Sequence, residues 1–161
     1  MGSKQALLLT LMLLSPGDKS PAAAPKDLDR LQGEWMMVSG RVDGVESAVT
    51  PPDGMRCAVR GDKVSFLHDG KVVEQVTVKL DPARTPNAID ATLESKQVAP
   101  GIYRLDEGTF TLCYTAPGKG RPSDFAAKAG TGHKLSVWKR PTKKSSAAAK
   151  ASFRTSRSIA Q

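Results

Sequence analysis

Apolar and polar residues alternate with a period of two along most of this chain. In residues 71–80, Val72, Glu74, Val76, Val78 and Leu80 fall on one side of an extended strand, opposite mainly polar residues. A strand with one buried face and one solvent-exposed face is typical of an antiparallel sheet. Eight segments show such patterns: residues 35–41, 55–60, 63–67, 71–80, 87–93, 101–105, 109–115 and 134–139. Eight short strands with almost no helical periodicity predict a closed antiparallel barrel or a sandwich.

Turn residues separate these strands at short intervals. Gly61-Asp62 leaves a two-residue connection, which favours a tight hairpin, and Asp69-Gly70 forms another turn. Before the first strand, residues 27–32 predict one short helical turn with Asp27 as its N-cap. The predicted domain therefore covers residues 27–140 and is all-β apart from this turn.

Most of the net positive charge lies at the C-terminal end of the chain. The 161 residues suit one domain, and the net charge is +8. Residues 26–140 hold 17 Lys and Arg against 15 Asp and Glu, whereas residues 141–161 hold five basic residues and no acid. This low-complexity tail is expected to be disordered when free. It offers a contact to a polyanion, either nucleic acid, anionic lipid or a surface polymer. Phe153 is its only aromatic residue, so specific nucleic-acid recognition by base stacking is not indicated.

The N-terminus has the pattern of an export signal. One positive charge precedes an apolar run at residues 6–14, and Ser15-Pro16-Gly17 follows. Nine apolar residues are too few to span a bilayer but suit the core of a signal peptide. We therefore expect a signal peptide at residues 1–17, a disordered linker at 18–26, and a secreted or periplasmic protein. A cytoplasmic location follows if the run is only an apolar leader.

The sequence contains no recognisable catalytic, metal or cofactor motif. His68 and His133 lie far apart, and the two cysteines form no CxxC pair, which argues against structural zinc. Residues 116–123 contain glycines and basic residues, but no GKS or GKT follows a strand there, so the phosphate-loop interpretation fails. We expect no enzymatic activity, no cofactor and a monomer.

Six short motifs in sequence order resemble a known domain family. They are Leu31-Gln32-Gly33-Glu34-Trp35, Leu80-Asp81-Pro82, Asn87-Ala88-Ile89-Asp90, Gly101-Ile102-Tyr103-Arg104-Leu105-Asp106, Leu112-Cys113-Tyr114 and Arg121-Pro122-Ser123-Asp124-Phe125. The combination resembles an uncharacterised, lipocalin-like family expanded in planctomycete bacteria and covers about residues 28–140. The resemblance implies an eight-stranded up-and-down barrel and no defined activity.

Gly33 and Trp35 look like the Gly-x-Trp start of lipocalins, in which the indole plugs the closed end of the barrel. By that similarity, a basic residue of the last strand, either Lys139 or Arg140, covers the indole through a cation–π contact. These four residues are expected to be structural. A lipocalin-like barrel does not by itself imply a lipophilic ligand, because a short barrel can be filled by its own side chains.

Four residues are candidates for ligand binding: Glu74, His68, Tyr103 and Tyr114. Glu74 falls on the apolar face of the long strand, where a carboxylate needs a partner. Alternatively, a bulge after Val73 turns it outward, or an arginine satisfies it. His68 lines the barrel mouth or lies exposed on the rim. The leading hypothesis is a binding module for a small apolar or amphipathic ligand. The alternative is a structural protein with a solid barrel and a polyanion-binding tail.

The two cysteines are predicted to lie on opposite faces of the sheet. Cys57 shares a face with Met55 and Val59, towards the core, whereas Cys113 alternates with Leu112 and Tyr114 and points away from it. Bridged cysteines need Cα atoms within about 7 Å and side chains aimed at each other. A disulfide between them is therefore disfavoured.

Overall fold

The fold is seen in a computed structural model that describes residues 24–47 and 54–142. The predicted signal peptide and most of the basic tail lie outside these residues. The elements are α1 (Ala24–Leu31), β1 (Gly33–Val42), β2 (Val45–Ser47), β3 (Arg56–Arg60), β4 (Lys63–His68), β5 (Lys71–Asp81), β6 (Ala88–Leu93), β7 (Val98–Asp106), β8 (Thr109–Tyr114) and β9 (Lys134–Lys139).

The sheet closes on itself as an antiparallel barrel. Neighbouring strands follow the order β1-β3-β4-β5-β6-β7-β8-β9, and β9 pairs back with β1. Eight strands therefore form the barrel. Each pairs with the barrel strands before and after it in the chain, and the pairing of β9 with β1 closes the ring. β2 is a short additional strand that forms a hairpin with residues 40–42 of β1. The predicted eight-stranded up-and-down barrel is confirmed.

The helix begins earlier than predicted. α1 starts at Ala24 and not at Asp27, so the last residues assigned to a disordered linker are helical. Pro25 is compatible with this start because the first turn of a helix has no internal partner for its N–H groups. Asp27 lies within the first turn, where its negative charge stabilises the helix dipole.

The barrel interior is packed with apolar side chains. Its core contains Leu31, Trp35, Cys57, Val59, Val64, Val76, Val78, Leu80, Ile89, Tyr103, Phe110, Leu112 and Trp138. Because these side chains come from α1 and from all eight barrel strands, the core is one continuous cluster that ties the strands together.

A β-bulge in β5 corrects the predicted face of Val72. Phe66 pairs with Glu74, but the next residue of β4, Leu67, pairs with Val72, which leaves Val73 without a partner in the register. Paired residues share a face, so Glu74 stays on the side of Phe66 and Val76 while Val72 moves to the opposite side. Val72 is exposed. The prediction that Val72 belongs to the inward face was wrong because a bulge resets the alternation.

One end of the barrel, which we call the closed end, is covered by α1. The indole N–H of Trp35 donates to the carbonyl of Leu31 at 2.8 Å. The guanidinium of Arg140 lies 4.0 Å from the Trp35 ring and donates to the carbonyls of Gln32 and Arg30 at 2.6 Å each. Gly33 is required beneath it, since its φ is +100° and an added Cβ would lie 2.9 Å from Arg140 Nη1. The structure places Arg140, and not Lys139, over the indole.

Candidate functional site

The end opposite α1, which we call the open end, carries most of the exposed apolar residues. It contains the turns at residues 43–44, 69–70 and 94–97 and the long loop at residues 115–133. Among the described residues, the large hydrophobic side chains that are exposed are Val38, Val42, Val45, Val72, Val73 and Val98. All except Val38 flank a turn of the open end. The exposed valines are therefore concentrated at one end of the barrel.

Partly exposed apolar side chains form the floor of the open end. Phe66 packs on Trp138 with ring centroids 5.8 Å apart. Met37, which pairs with Trp138, and Met55, Leu93 and Tyr114 are also partly buried against the core. Because the buried core cluster lies directly against them, these side chains form an apolar surface over the packed part of the barrel.

Tyr114 lies near two charged residues at this end, Glu74 and Lys134. Burial raises the pKa of its hydroxyl, and the negative charge of Glu74 raises it further. Lys134 Nζ lies 5.7 Å from the centroid of the Tyr114 ring, within cation–π range. Glu74 is exposed near the start of β5, and its carboxylate is close enough to the Tyr114 hydroxyl on β8 for its charge to act on that group. The structure therefore brings together two predicted site residues, Glu74 and Tyr114, and adds Lys134.

A groove opens beside Glu74 where the barrel wall is incomplete. It has a volume of about 380 Å³ and lies between the start of β5 and the turn that follows β6. Its lining residues are Val72, Val73, Glu74, Gln75, Leu93, Glu94 and Ser95. The groove therefore presents aliphatic surface, two carboxylates and backbone groups of β5.

His68 lies on the rim and not over the floor. Its side chain is 56% exposed, and Nδ1 lies 3.6 Å from a carboxylate oxygen of Asp69 on the adjoining turn. An exposed pair of this kind contributes little to stability. His133 lies at the far end of the 115–133 loop, where Nδ1 is 3.0 Å from the carbonyl oxygen of Ala126. Each histidine therefore has a local partner, the Asp69 carboxylate for His68 and the Ala126 carbonyl for His133.

Tyr103 belongs to the closed end. Its side chain is 1% exposed, and its hydroxyl donates to Asp27 Oδ2 at 2.8 Å, which ties α1 to β7. Burial raises the pKa of Tyr103, and the hydrogen bond to Asp27 adds to this shift. Tyr103 is thus a structural contact of the closed end, although it shares the inward face with Tyr114, two register positions away on the neighbouring strand.

The outer face of β7 and β8 carries a second buried region that sequence reasoning missed. The loop at residues 115–133 lies over it. Arg121 donates to the carbonyls of Ile89 and Gly101 at 2.8 and 2.6 Å and to Asp90 Oδ1 at 2.7 Å. Arg104 lies 5.1 Å from the ring of Phe125. The sequence signal for this region was the Arg-Pro-Ser-Asp-Phe motif, whose conformation we had not predicted.

The cysteines lie on the two sides of the sheet, as predicted. Cys57 is buried in the interior, Cys113 is buried on the outer side, and both are free. Within residues 24–47 and 54–142, no group of three or more His, Cys, Asp and Glu side chains is arranged to hold a metal ion. In those same ranges, no helix has the length and apolar character needed to cross a bilayer.

Comparison of the chain with protein-family models, with curated proteins and with solved structures finds no match. The functional argument therefore rests on the residues and geometry of the open end.

Proposed function

We propose that this protein is a non-enzymatic binding module that holds a small amphipathic molecule at the open end of its barrel. The observation that carries the proposal is the partly exposed apolar floor that includes Tyr114, whose hydroxyl senses the charge of Glu74 and whose ring lies 5.7 Å from Lys134 Nζ. Phe66 and Leu93 offer apolar contact surface. An amphipathic ligand would bury its apolar body against the floor. Its charged head would pair with Glu74 or Lys134.

The shallow floor limits the kind of ligand that fits. Since the interior below Phe66 is filled by core side chains, a bound molecule would lie across the open end and keep part of its surface in solvent. Short-chain amphiphiles suit such a site better than long lipids, which need a deep cavity. The N-terminal apolar run supports export, and we propose that the protein acts as a secreted or periplasmic monomer.

Two amphiphiles with opposite head charges test this function. Full-length protein is titrated with dodecylamine and with dodecanoate below their micellar concentrations, with tryptophan fluorescence as the signal, because Trp138 lies beneath the floor. Glu74→Gln should weaken dodecylamine binding about fivefold, as expected for one lost charged contact, and leave dodecanoate binding unchanged or stronger. Glu107→Gln, at an exposed turn of the closed end, is the matched control and should change neither affinity.

The packed interior favours one alternative, an interaction protein with a solid barrel whose basic tail contacts a polyanion. In that case neither amphiphile binds saturably. The full chain would bind heparin with an affinity that falls steeply with salt, and a chain that ends at Thr142 would lose this binding. Saturable amphiphile binding that responds equally to Glu74→Gln and Glu107→Gln would contradict the proposed site while leaving the binding function intact.

A further inference from the structure

One strand of the barrel extends past its neighbour and leaves a sheet edge in the wall. β5 pairs with β4 from Lys71 onwards, but its pairing with β6 begins only at Val76, opposite Leu93. Residues 71–75 therefore extend beyond β6 for about 17 Å at the usual rise of a strand. Among the residues that the structure describes, none pairs with this side of residues 71–75. We call this segment the β5 overhang.

The groove described above runs along the β5 overhang. One wall is formed by residues 72–75, and the other by residues 93–95 at the end of β6. Val72 and Val73 are 61% and 56% exposed, which is unusual for adjacent valines on a strand. Unpaired backbone groups next to exposed apolar side chains form the surface to which an extended peptide adds as another strand.

The charge of the groove indicates the chemistry of its occupant. Glu74 and Glu94 both line it. Neither takes part in the ion pairs formed between described residues, which involve Asp27, Asp69, Asp81, Asp90 and Asp106. Lys71 lies at the outer end of the overhang and is not among the residues that line the groove. The groove therefore offers two unpaired carboxylates to an incoming segment, and basic side chains would complement them.

We propose that the β5 overhang binds an extended segment of a separate protein by strand addition, with basic residues alternating with apolar ones. The backbone of the segment would pair with the overhang, its apolar residues would contact Val73 and Leu93, and its Lys or Arg residues would face Glu74 and Glu94. This goes beyond small-molecule binding, because the recognised group is a polypeptide backbone and the site is the groove in the wall.

The bulge at Val73 argues against a second copy of this chain as the occupant. Symmetric edge-to-edge pairing needs two flat edges of useful length, and a bulge interrupts pairing and increases the local twist. Two copies would also bring Glu74 near its own equivalent. A short basic segment meets neither obstacle, because it can follow the twist of the strand and neutralise the carboxylates.

A labelled hexapeptide of alternating lysine and valine, titrated against the full-length protein with fluorescence anisotropy as the readout, tests the proposal. We expect saturable binding. N-methylation of alternate residues of the peptide, which removes the N–H donors on one edge, should weaken binding on the order of tenfold. A glutamate–valine hexapeptide should bind at least as weakly, because it places like charges beside Glu74 and Glu94.

Two exposed valines supply matched protein variants. Val73→Lys places a charge in the groove and should weaken binding of the lysine–valine peptide on the order of tenfold. Val98→Lys makes the same change at the start of β7, outside the groove, and should leave the affinity unchanged. Circular dichroism checks both folds, and Glu94→Gln, with an expected loss of severalfold, replaces Val73→Lys if that variant does not fold.

Several outcomes would overturn the inference. These are the absence of saturable binding to the full chain, equal binding of the N-methylated peptide, and equal effects of Val73→Lys and Val98→Lys. If the peptide binds only to a chain that ends at Thr142, the basic tail blocks the groove in the full chain. The tail of this protein, and not a separate partner, would then be the occupant. A dimer that dissociates on Val73→Lys, without peptide binding, would assign the edge to a second copy. Amphiphile binding is measured independently, so either proposal can fail alone.

Discussion

Cys57 and Cys113 show how one residue type acquires different properties on the two sides of a sheet. Cys57 is 1% exposed within the interior, and burial raises the pKa of its thiol to about 12, although Arg140 opposes part of that shift. Cys113 is fully buried on the outer side, where burial and the charge of Asp124 raise its pKa to about 11. Both thiols are therefore protonated at neutral pH and react poorly as long as the protein stays folded.

The raised pKa of Cys57 predicts a loss of stability in alkali. Above pH 9 the unfolded chain releases the thiol proton while the folded chain retains it until about pH 12. The folded state then holds more protons, so the free energy of unfolding falls as pH rises across this window. We expect the wild type to lose about 1–2 kcal/mol relative to Cys57→Val between pH 9 and 10.5.

Urea unfolding under reducing conditions at several pH values measures this difference. Cys57→Val keeps an apolar side chain of similar size, and both proteins retain Cys113, so the contribution of the second thiol cancels. Parallel stability curves for the two proteins would show that the interior thiol does not contribute to the pH dependence.

At the scale of elements, the loop at residues 115–133 is held to the barrel by a few polar contacts. Arg121 joins it to β6 and β7 through Asp90 and two carbonyls. The far end is held by Asp43, whose carboxylate accepts from the N–H of Gly132 at 2.8 Å. Since Asp124 acts on the pKa of Cys113, the loop lies beside that thiol. Accessibility of Cys113 therefore reports whether the loop stays in place.

Asp90→Asn should release the loop, because it removes the charged partner of Arg121. In a Cys57→Val background, where Cys113 is the single thiol, the rate of its modification by a soluble disulfide reagent at pH 8 should rise on the order of tenfold. The control is Asp81→Asn, which removes an exposed ion pair with Arg84 at the closed end. Equal rates in the two variants would mean that Arg121 does not hold the loop.

At the scale of the whole molecule, the two tryptophans have different aromatic neighbours within one core. The ring centroid of Trp35 lies 5.9 Å from that of Phe110, whereas the ring centroid of Trp138 lies 5.8 Å from that of Phe66. Both belong to the same continuous cluster. A barrel closed by the pairing of β1 with β9 has no strand that can leave without breaking two interfaces, so the molecule should unfold cooperatively.

Single-tryptophan variants test this cooperativity. Trp35→Phe leaves Trp138 as the single reporter, and Trp138→Phe leaves Trp35. Each variant should be less stable than the wild type by about 1–3 kcal/mol. Within each variant, urea midpoints from fluorescence and from far-ultraviolet circular dichroism should coincide. Separate midpoints within one variant would indicate that the core around that tryptophan unfolds independently of the sheet.

The sequence by itself determined the eight barrel strands and their antiparallel character, whereas it left a barrel and a sandwich open and did not predict β2. These features depend on local chemistry: alternation sets which side of a strand is apolar, and glycine turns such as Gly61 and Gly108 reverse the chain within a few residues. The resemblance to lipocalins also directed attention to Gly33, Trp35 and the basic residues after β9. Of the two cations it suggested, only the structure distinguished Arg140 from Lys139.

The tertiary structure alone decided what lies at each end of the barrel. Periodicity assigns a residue to a face, but the height of that residue along the barrel depends on the register between strands, which residues far apart in sequence set together. Tyr103 and Tyr114 share an inward face, yet register places one beneath α1 and the other beside Glu74. The bulge at Val73 likewise arises between β4 and β5, and it turns Val72 away from the inward face.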